Sequence, residues 1–556
     1  MPASDVKTVP VAIVGGGPVG LMLALFLDHY GIRSVIFNGE PEVRWHPKGS
    51  THNSRTLEHH RRLGLAQTIR DFCLPIDRPM HVTYYTRLTG WELGRIRMPS
   101  EMDKRRAVAA SAATDQIPEP LLRANQMYVE AFLLAEARRR PNITVRFGWQ
   151  ADKFDDGDSG VTVDAAPTGD GARETWRAQY LVGCDGGRSF VRRSLALRYN
   201  GFAKLDSPFY GGRMNATYLK APTLFRDHLA HRAGWQYWTV NPEVRATIIT
   251  LRNDDEFLVF SKGADDGTPP TDAAMVHMMQ RAVGAELPIS IIGHWPWTAG
   301  VALVAERFIA GRVILAGDAA HLFTPTGGFG MNTGMDDASN LAWKLAALVQ
   351  GWGGANLLQS YESERRPIAE RNTVAARDLN KNLTNMPITD AMEQDTPEGA
   401  AARGQVSAHL STFGEEFASI GVQLGARYDG SPIVAEDGTP PADNYEHYIP
   451  SGVPGGRAPH YWTGPGRGMG DSLFDQFGKG FTLLRFGDRP TDASSIEAAA
   501  RRHRVPLKVI DVPQADARDL YGRDLALIRP DQYVAWRGDV PPADADRLIG
   551  QIVGGT

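Results

Sequence analysis

Three stretches of this 556-residue chain carry residue types at spacings suited to a phosphate-bearing redox cofactor. The first is Gly15-Gly16-Gly17-Pro18-Val19-Gly20. It stands between the apolar run Val9 to Val14 and a stretch of helical spacing, Leu21 to Tyr30, that Gly31 ends. In a strand–turn–helix setting Gly15 permits the tight turn. Gly17 lets the backbone approach a pyrophosphate, and Gly20 lets helix and strand pack closely. The helix N-terminus adds free N–H groups and a positive dipole end. A glycine-rich turn that binds nothing is the plain alternative, and the intact flanking elements argue against it. At the end of the next strand, Ser34 to Phe37, an acid usually holds ribose hydroxyls. Asn38 stands there, with Glu40 two residues on. An amide can still exchange hydrogen bonds with a hydroxyl. Alone, this motif serves NAD and FAD alike.

The second stretch, Gly183-Cys184-Asp185-Gly186-Gly187-Arg188-Ser189, follows a strand-like run and leads into a helix. The third runs from Gly311 through Gly317-Asp318-Ala319-Ala320-His321 to Pro325, Gly328, Gly330, Met331 and Asn332, ahead of a long helical stretch. In this order the trio resembles the group A flavoprotein monooxygenases, whose best-known member hydroxylates 4-hydroxybenzoate. The match spans residues 9 to about 372. The resemblance implies FAD, bound noncovalently, with NADPH or NADH as co-substrate, O2, and a small aromatic substrate of phenolic or polyketide type. It implies hydroxylation of the ring through a flavin C4a-hydroperoxide.

Residue by residue, Asp318 suits a ribityl hydroxyl. The N–H groups of the Pro325–Asn332 turn suit negative charge on reduced flavin. Asp185 and Gly186 match a motif serving both FAD and NAD(P)H. Arg188, Arg192 and Arg193 either serve phosphates or form a solvated helix face. Arg123 and Gln126 lie in a segment whose Gln reaches the flavin side chain. Lys48 and Arg55 fall where relatives place arginine against the cofactor, with Lys48 a departure. Asp337 and Asn340 read as helix ties. Pro454 to Pro459, Phe481 to Leu484 and Arg529 to Arg537 resemble the thioredoxin-like tail of phenol and polyketide hydroxylases. No cysteine lies beyond Cys184, so this tail performs no dithiol chemistry and is expected to serve packing or a homodimer.

These motifs need an α/β framework. The expected layout is a Rossmann-like FAD-binding domain from residues 1–86, 117–197 and 300–425, with an inserted β-sheet substrate domain from 87–116 and 198–299. A linker over 426–460 should wrap the surface and lead to a thioredoxin-like α/β domain over 461–556. In the insert, Trp235, Tyr237, Trp238, Trp295 and Trp297 are candidates to line the substrate pocket, although each also suits a plain core. Phenols ionise near ~10, so a base would help. Relatives use an acid in the loop after the second strand. Here Arg44 to Thr56 holds neither Asp nor Glu but does hold His52, which reads either as that base or as a loop-tying hydrogen bonder.

Composition closes other routes. Lys plus Arg number 60 against 64 acids, a balance unlike that of a nucleic-acid binder. Two distant cysteines give no disulfide framework and suit a reducing cytoplasm. No run is apolar enough for a membrane span. His46, His52, His59 and His60 are dense, but without cysteine or a HExxH pair they predict no metal. Rival readings are a reductase or halogenase of the same fold, or a non-catalytic FAD carrier. The halogenase WxWxIP pattern is not met at Trp295-Pro296-Trp297, which Thr298-Ala299-Gly300 follows.

Overall fold

In the computed structural model, which describes residues 6–203, 212–264, 266–382, 386–411 and 419–555, the first apolar run forms the strand Lys7–Val14. It is the middle of a parallel sheet. Ser34–Asn38 and then Ile143–Phe147 lie on one side, Glu174–Gly183 and then Val313–Leu315 on the other. Val11 to Val14 are buried, as expected of parallel strands under crossover helices. Register sets Val14 beside both Phe37 and Gly183. The glycine turn, Asn38 and the Cys184–Asp185 turn therefore leave the sheet side by side at its carboxyl edge, where α/β sheets bind ligands. Pro18 opens the helix Pro18–His29, and Asn53 caps the helix Ser54–Arg62 by accepting from the Thr56 N–H.

A seven-stranded sheet stands against this layer. Its order is Ser290–Ala299, Gly212–Lys220, Glu256–Lys262, Arg245–Thr250, Gln236–Val240, Val82–Tyr85 and Glu92–Ile96. Val82–Tyr85 pairs in parallel with Gln236–Val240, so the sheet takes in residues that were expected, from sequence, in the cofactor domain. Strand alternation sorts its side chains. Tyr237, Ile248, Phe257 and Val259 join a core with Met279, Ala282 and Val283 of the helix Asp272–Val283. Trp238, Ile249 and Leu258 point the other way, into a core shared with Met386, Met392, Val406 and Leu410.

The C-terminal sheet runs Leu507–Val512, Phe481–Phe486, Leu525–Ile528, Val534–Gly538, with only the first pair parallel. Its inner face is continuous with the main core. The Phe481 ring meets Trp343 edge-on at 5.8 Å, and Ile496, Leu525 and Ile549 belong to the same cluster as the first strand. The stretch 426–460 runs over the surface in its middle, where residues 436–450 are mostly exposed, but both ends depart from the expected wrap, with Tyr428, Ile433, Arg457 and His460 buried.

Buried charges fasten this junction. Glu364 accepts from Lys344 Nζ at 2.6 Å, from Arg529 Nη1 and Nη2 at 2.6 and 2.9 Å, and from Ser431 Oγ at 2.6 Å. Glu58 lies between Arg55 and Arg457. Burial alone would raise the Glu58 carboxyl, but Arg457 and Arg55 outweigh it and hold the group at about 2. Its stability contribution is therefore present above the ordinary carboxylate range and lost as pH falls toward about 2. Replacing Arg529 by Met leaves Glu364 short of two donors in the interior. The expected cost is about 3–5 kcal/mol in denaturant unfolding. Loss below 1 kcal/mol would show the tail to be only loosely attached.

Candidate functional site

Two joined clefts lie between the layers. The larger, about 910 Å³, runs from the Gly15–Val19 turn past Asn38, Glu40, Trp149 and Gln150 and the Cys184–Gly186 turn to Lys48, Gln126, Asp318 and Met331. The second, about 340 Å³, shares those last four residues and continues to Thr51, Arg123, Trp235, Gln236, Ile249, Phe260, Phe323, Pro325, Gly328 and Gly330.

The glycine turn has the form that a pyrophosphate needs. Gly15 has φ +109°, and a Cβ there would collide with the Cys184 carbonyl, so only glycine fits. At Gly17 a Cβ would meet nothing within 4 Å, which leaves an open cradle in front of the N-terminus of Pro18–His29. Gly186 is equally open. The Gly16 N–H donates to Asn38 Oδ1 at 3.1 Å, and Asn38 Nδ2 donates to the Glu40 carbonyl at 3.0 Å. Asn38 thus binds the turn to the second strand as well as bordering the cleft.

Asp185 is occupied by its own chain. Ser189 Oγ donates to it at 2.5 Å, and the Phe190 and Val191 N–H groups at 2.6 and 3.1 Å. What faces the cleft here is the Gly186 backbone with the exposed side chains Arg188 and Arg193. Arg192 instead donates to the Leu197 and Gly187 carbonyls and lies 3.8 Å from the Tyr199 ring centre. Asp318, exposed on the turn Gly317–Ala319, opens into the cleft, where desolvation by the surrounding walls raises its carboxyl above the ordinary value. Lys48 Nζ stands 3.8 Å from Glu130, which Gln126 Nε2 also contacts, so a polar group marks the passage between the clefts.

An elongated cleft with a phosphate cradle at one end, a carboxylate midway and an apolar recess beyond fits FAD. Gly15 to Val19, Arg188 and Arg193 would hold its phosphates, Asp318 its ribityl chain, and Pro325 to Met331 its ring. Of the sequence-derived cofactor residues, Gly15, Gly17, Pro18, Val19, Asn38, Lys48, Gln126, Asp185, Gly186, Asp318 and Met331 border the larger cleft, and Arg123, Pro325, Gly328 and Gly330 the smaller.

Several others point elsewhere. Gly20 serves helix–strand packing, where a Cβ would strike the Gly15 carbonyl. Arg55 borders neither cleft and is turned to the tail, donating to Glu58, to Gln532 Oε1 at 2.9 Å and to the Asp531 carbonyl at 2.6 Å. Asn332 has its amide fully used. Oδ1 accepts from the Asn53 N–H and Thr56 Oγ1, and Nδ2 donates to the Thr51 and Gly328 carbonyls, so it ties the long helix to the Thr51–Thr56 segment. His52 is fully buried, with Nε2 3.2 Å from the Ala124 carbonyl. Burial, opposed by that bond and aided by Arg123, holds it near 4, neutral and away from either cleft.

Of the aromatic candidates only Trp235 borders the ring cleft. Tyr237 faces the opposite core, Trp238 stacks on Tyr84 at 5.5 Å, Trp297 packs behind Phe260 at 5.5 Å, and Trp295 meets His46 at 4.8 Å. Sequence reading missed Gln236, Ile249 and Phe260. Period-two alternation along each strand, tied to the buried face, is the signal that separates Gln236 from Tyr237.

Residues 8–376 match the FAD binding domain family, and residues 451–554 match the family described as aromatic-ring hydroxylase, C-terminal. The whole chain is 33% identical to the FAD-dependent monooxygenase apdD of Emericella nidulans, covering 92% of that protein. It is 28% identical to phenol 2-monooxygenase of a Pseudomonas species, over 99% of this chain and 93% of that one. Among solved structures, a ternary complex of aklavinone-11 hydroxylase with FAD and aklavinone superposes with a TM-score of 0.80 at 29% identity, over the full length of both chains.

Three outcomes follow from this geometry. Gly17→Val should give colourless protein at a folding cost of only about 1 kcal/mol, because the side chain fills the cradle without striking the chain. Gly15→Val should destabilise the fold itself, and flavin absorbance beside an unfolding curve reads the difference. His52→Ala should leave coupling of NAD(P)H to product unchanged between about pH 6 and 8, where the native imidazole does not titrate. A coupling loss centred near neutrality would restore His52 as a base.

Proposed function

The chain belongs to the family of FAD-binding aromatic-ring hydroxylases, and from that premise we propose that it uses NAD(P)H and O2 to hydroxylate a phenolic or polyketide-type aromatic ring. The observation that carries this reading is the junction of the two clefts at Lys48, Gln126, Asp318 and Met331. One ligand can thread the first cleft and present its ring to an apolar recess in the second.

Reduced FAD supplies the activation of oxygen, and the chain supplies the surroundings. The glycine turn and the N-terminus of Pro18–His29 hold the phosphates, with Arg188 and Arg193 adding charge. Asp318 accepts a sugar hydroxyl. The backbone of Gly328 to Met331, at the N-terminus of the helix Phe329–Gln350, puts N–H donors and a positive dipole end beside developing negative charge. Trp235, Ile249 and Phe260 wall the ring cleft with apolar surface and keep water from the reacting atoms. The tail performs packing rather than thiol chemistry and is the element we assign to holding a homodimer, and the two unpaired cysteines are in keeping with a reducing compartment. Among the described residues, no helix is long and apolar enough to cross a membrane.

Cys184 is the single thiol bordering the larger cleft, and burial, with Asp185 and Asp337 nearby, raises it well above its ordinary value. A neutral thiol is a poor nucleophile, so the flavin stays noncovalent. Acid precipitation should release the yellow colour to the supernatant. The hydroxylase reading is tested by NAD(P)H oxidation with oxygen uptake across a panel of phenols, naphthols and hydroxyanthraquinones. At least one class should stimulate oxidation several-fold and gain a hydroxyl. Oxidation indifferent to every ring, with all oxygen recovered as peroxide, would favour a plain oxidase or reductase.

A further inference from the structure

Two cations border the ring cleft. Lys48 also borders the larger cleft, whereas Arg123 borders the ring cleft alone. Arg123 is only 3% exposed, and its guanidinium lies 4.0 Å from the centre of the Trp235 ring. Its Nη1 donates to Thr51 Oγ1, and the two residues are cross-strand partners of the short pair Thr51–His52 and Leu122–Arg123. Indole plane and hydroxyl together fix the guanidinium fork at the cleft wall.

The charged and titratable groups around it come from every neighbouring element. Lys48, with Glu130 behind it, and Asp318 border the same cleft. Lys104, on the helix Glu101–Ala109, is lowered to about 8 mainly by burial, with Arg123 a further cause. His52 is neutral and turned inward. The described residues lining the ring cleft include no histidine, tyrosine or cysteine, and Asp318 is their one carboxylate. With His52 removed from the cleft, phenol activation needs another source.

We propose that Arg123 holds the hydroxyl of a bound phenol as its anion, a fixed positive charge that takes the place of a base. The inference rests on the phenolic reading above. The phenol O–H bond breaks, its proton goes to solvent water at the cleft mouth, and the phenolate oxygen pairs with the guanidinium. A phenol ionises near ~10 in water, and an opposite charge within ~4–6 Å lowers such a value by ~1–3. The guanidinium keeps its charge over the whole range. The phenolate is the more electron-rich ring and the better partner for an electrophilic oxygen.

The test uses FAD-loaded enzyme without NAD(P)H and follows the phenolate absorbance of bound 4-nitrophenol against pH, as a difference spectrum. In wild-type enzyme the bound phenol should ionise at lower pH than the free one, by about ten- to a thousandfold in its ionisation constant. Arg123→Gln should abolish that lowering while retaining flavin, and Arg123→Lys should keep part of it. Arg123→Met decides the matter should the glutamine variant fail to fold. Unchanged ionisation in a flavin-retaining Gln or Met variant overturns the proposal. So does loss of flavin from those variants, which would assign Arg123 to the cofactor. Wild-type enzyme that binds no phenol defeats the phenolic reading together with this one, whereas binding without any lowering defeats this one alone.

Discussion

The Asp337 carboxylate is the point on which the cofactor site turns. It is fully buried, yet each oxygen is answered. Oδ2 accepts the Gly317 N–H at 3.0 Å and lies 2.6 Å from His321 Nε2, while Oδ1 accepts Arg365 Nε at 2.8 Å. Burial alone would raise this acid, but His321 and Arg365 outweigh it and hold it at about 2. A buried carboxylate is tolerable only when so fully paired. Satisfying it fixes the Gly317–Ala319 turn against the helix Phe329–Gln350, and that turn carries Asp318 into the cleft. Arg365 passes the restraint on, donating to the Thr333 carbonyl and to Tyr428 Oη in the strap that leads to the tail.

The tail repeats this strategy. Glu364 and Glu58 each gather guanidinium donors from beyond residue 450 onto helices of the cofactor domain. A thioredoxin-like sheet without a thiol thus closes the main core. Its attachment combines apolar burial around Trp343 and Phe481 with ion pairs that are costly to break singly. Uncoupling the tail disturbs the very helices that seat Asp318 and Met331.

What could be read in the sequence, and what could not, follows from how local each demand is. The glycine turn, Cys184–Gly186 and Gly317–Asp318 are legible because a backbone passing close to another backbone, or to a phosphate, admits few residue types at fixed offsets. The thioredoxin-like tail is legible by its pattern, but the buried ends of its strap are not. Proline and glycine announce irregular backbone, and nothing local says that Arg457 will meet Glu58 some 399 positions away. Arg55 and His52 lie in a loop of suitable chemistry, yet the direction of each side chain is set by partners from the tail and from Ala124. Asn332 belongs to the right turn but spends its amide fastening that turn to Thr51, Asn53 and Thr56. In the substrate sheet, aromatic content alone could not sort Tyr237 from Trp238, because the two faces differ only by strand phase and by what later packs on each, and Trp235 stands just ahead of the strand Gln236–Val240.

Everything in the site serves one transfer: an oxygen atom from O2 to an aromatic ring held where the two clefts meet. Turnover under ¹⁸O2 with the best substrate of the phenol panel, followed by product mass spectrometry, tests this directly. The account predicts one heavy oxygen atom in each molecule of product. Product labelled from water instead, or unlabelled product with the heavy oxygen recovered as peroxide, would contradict it.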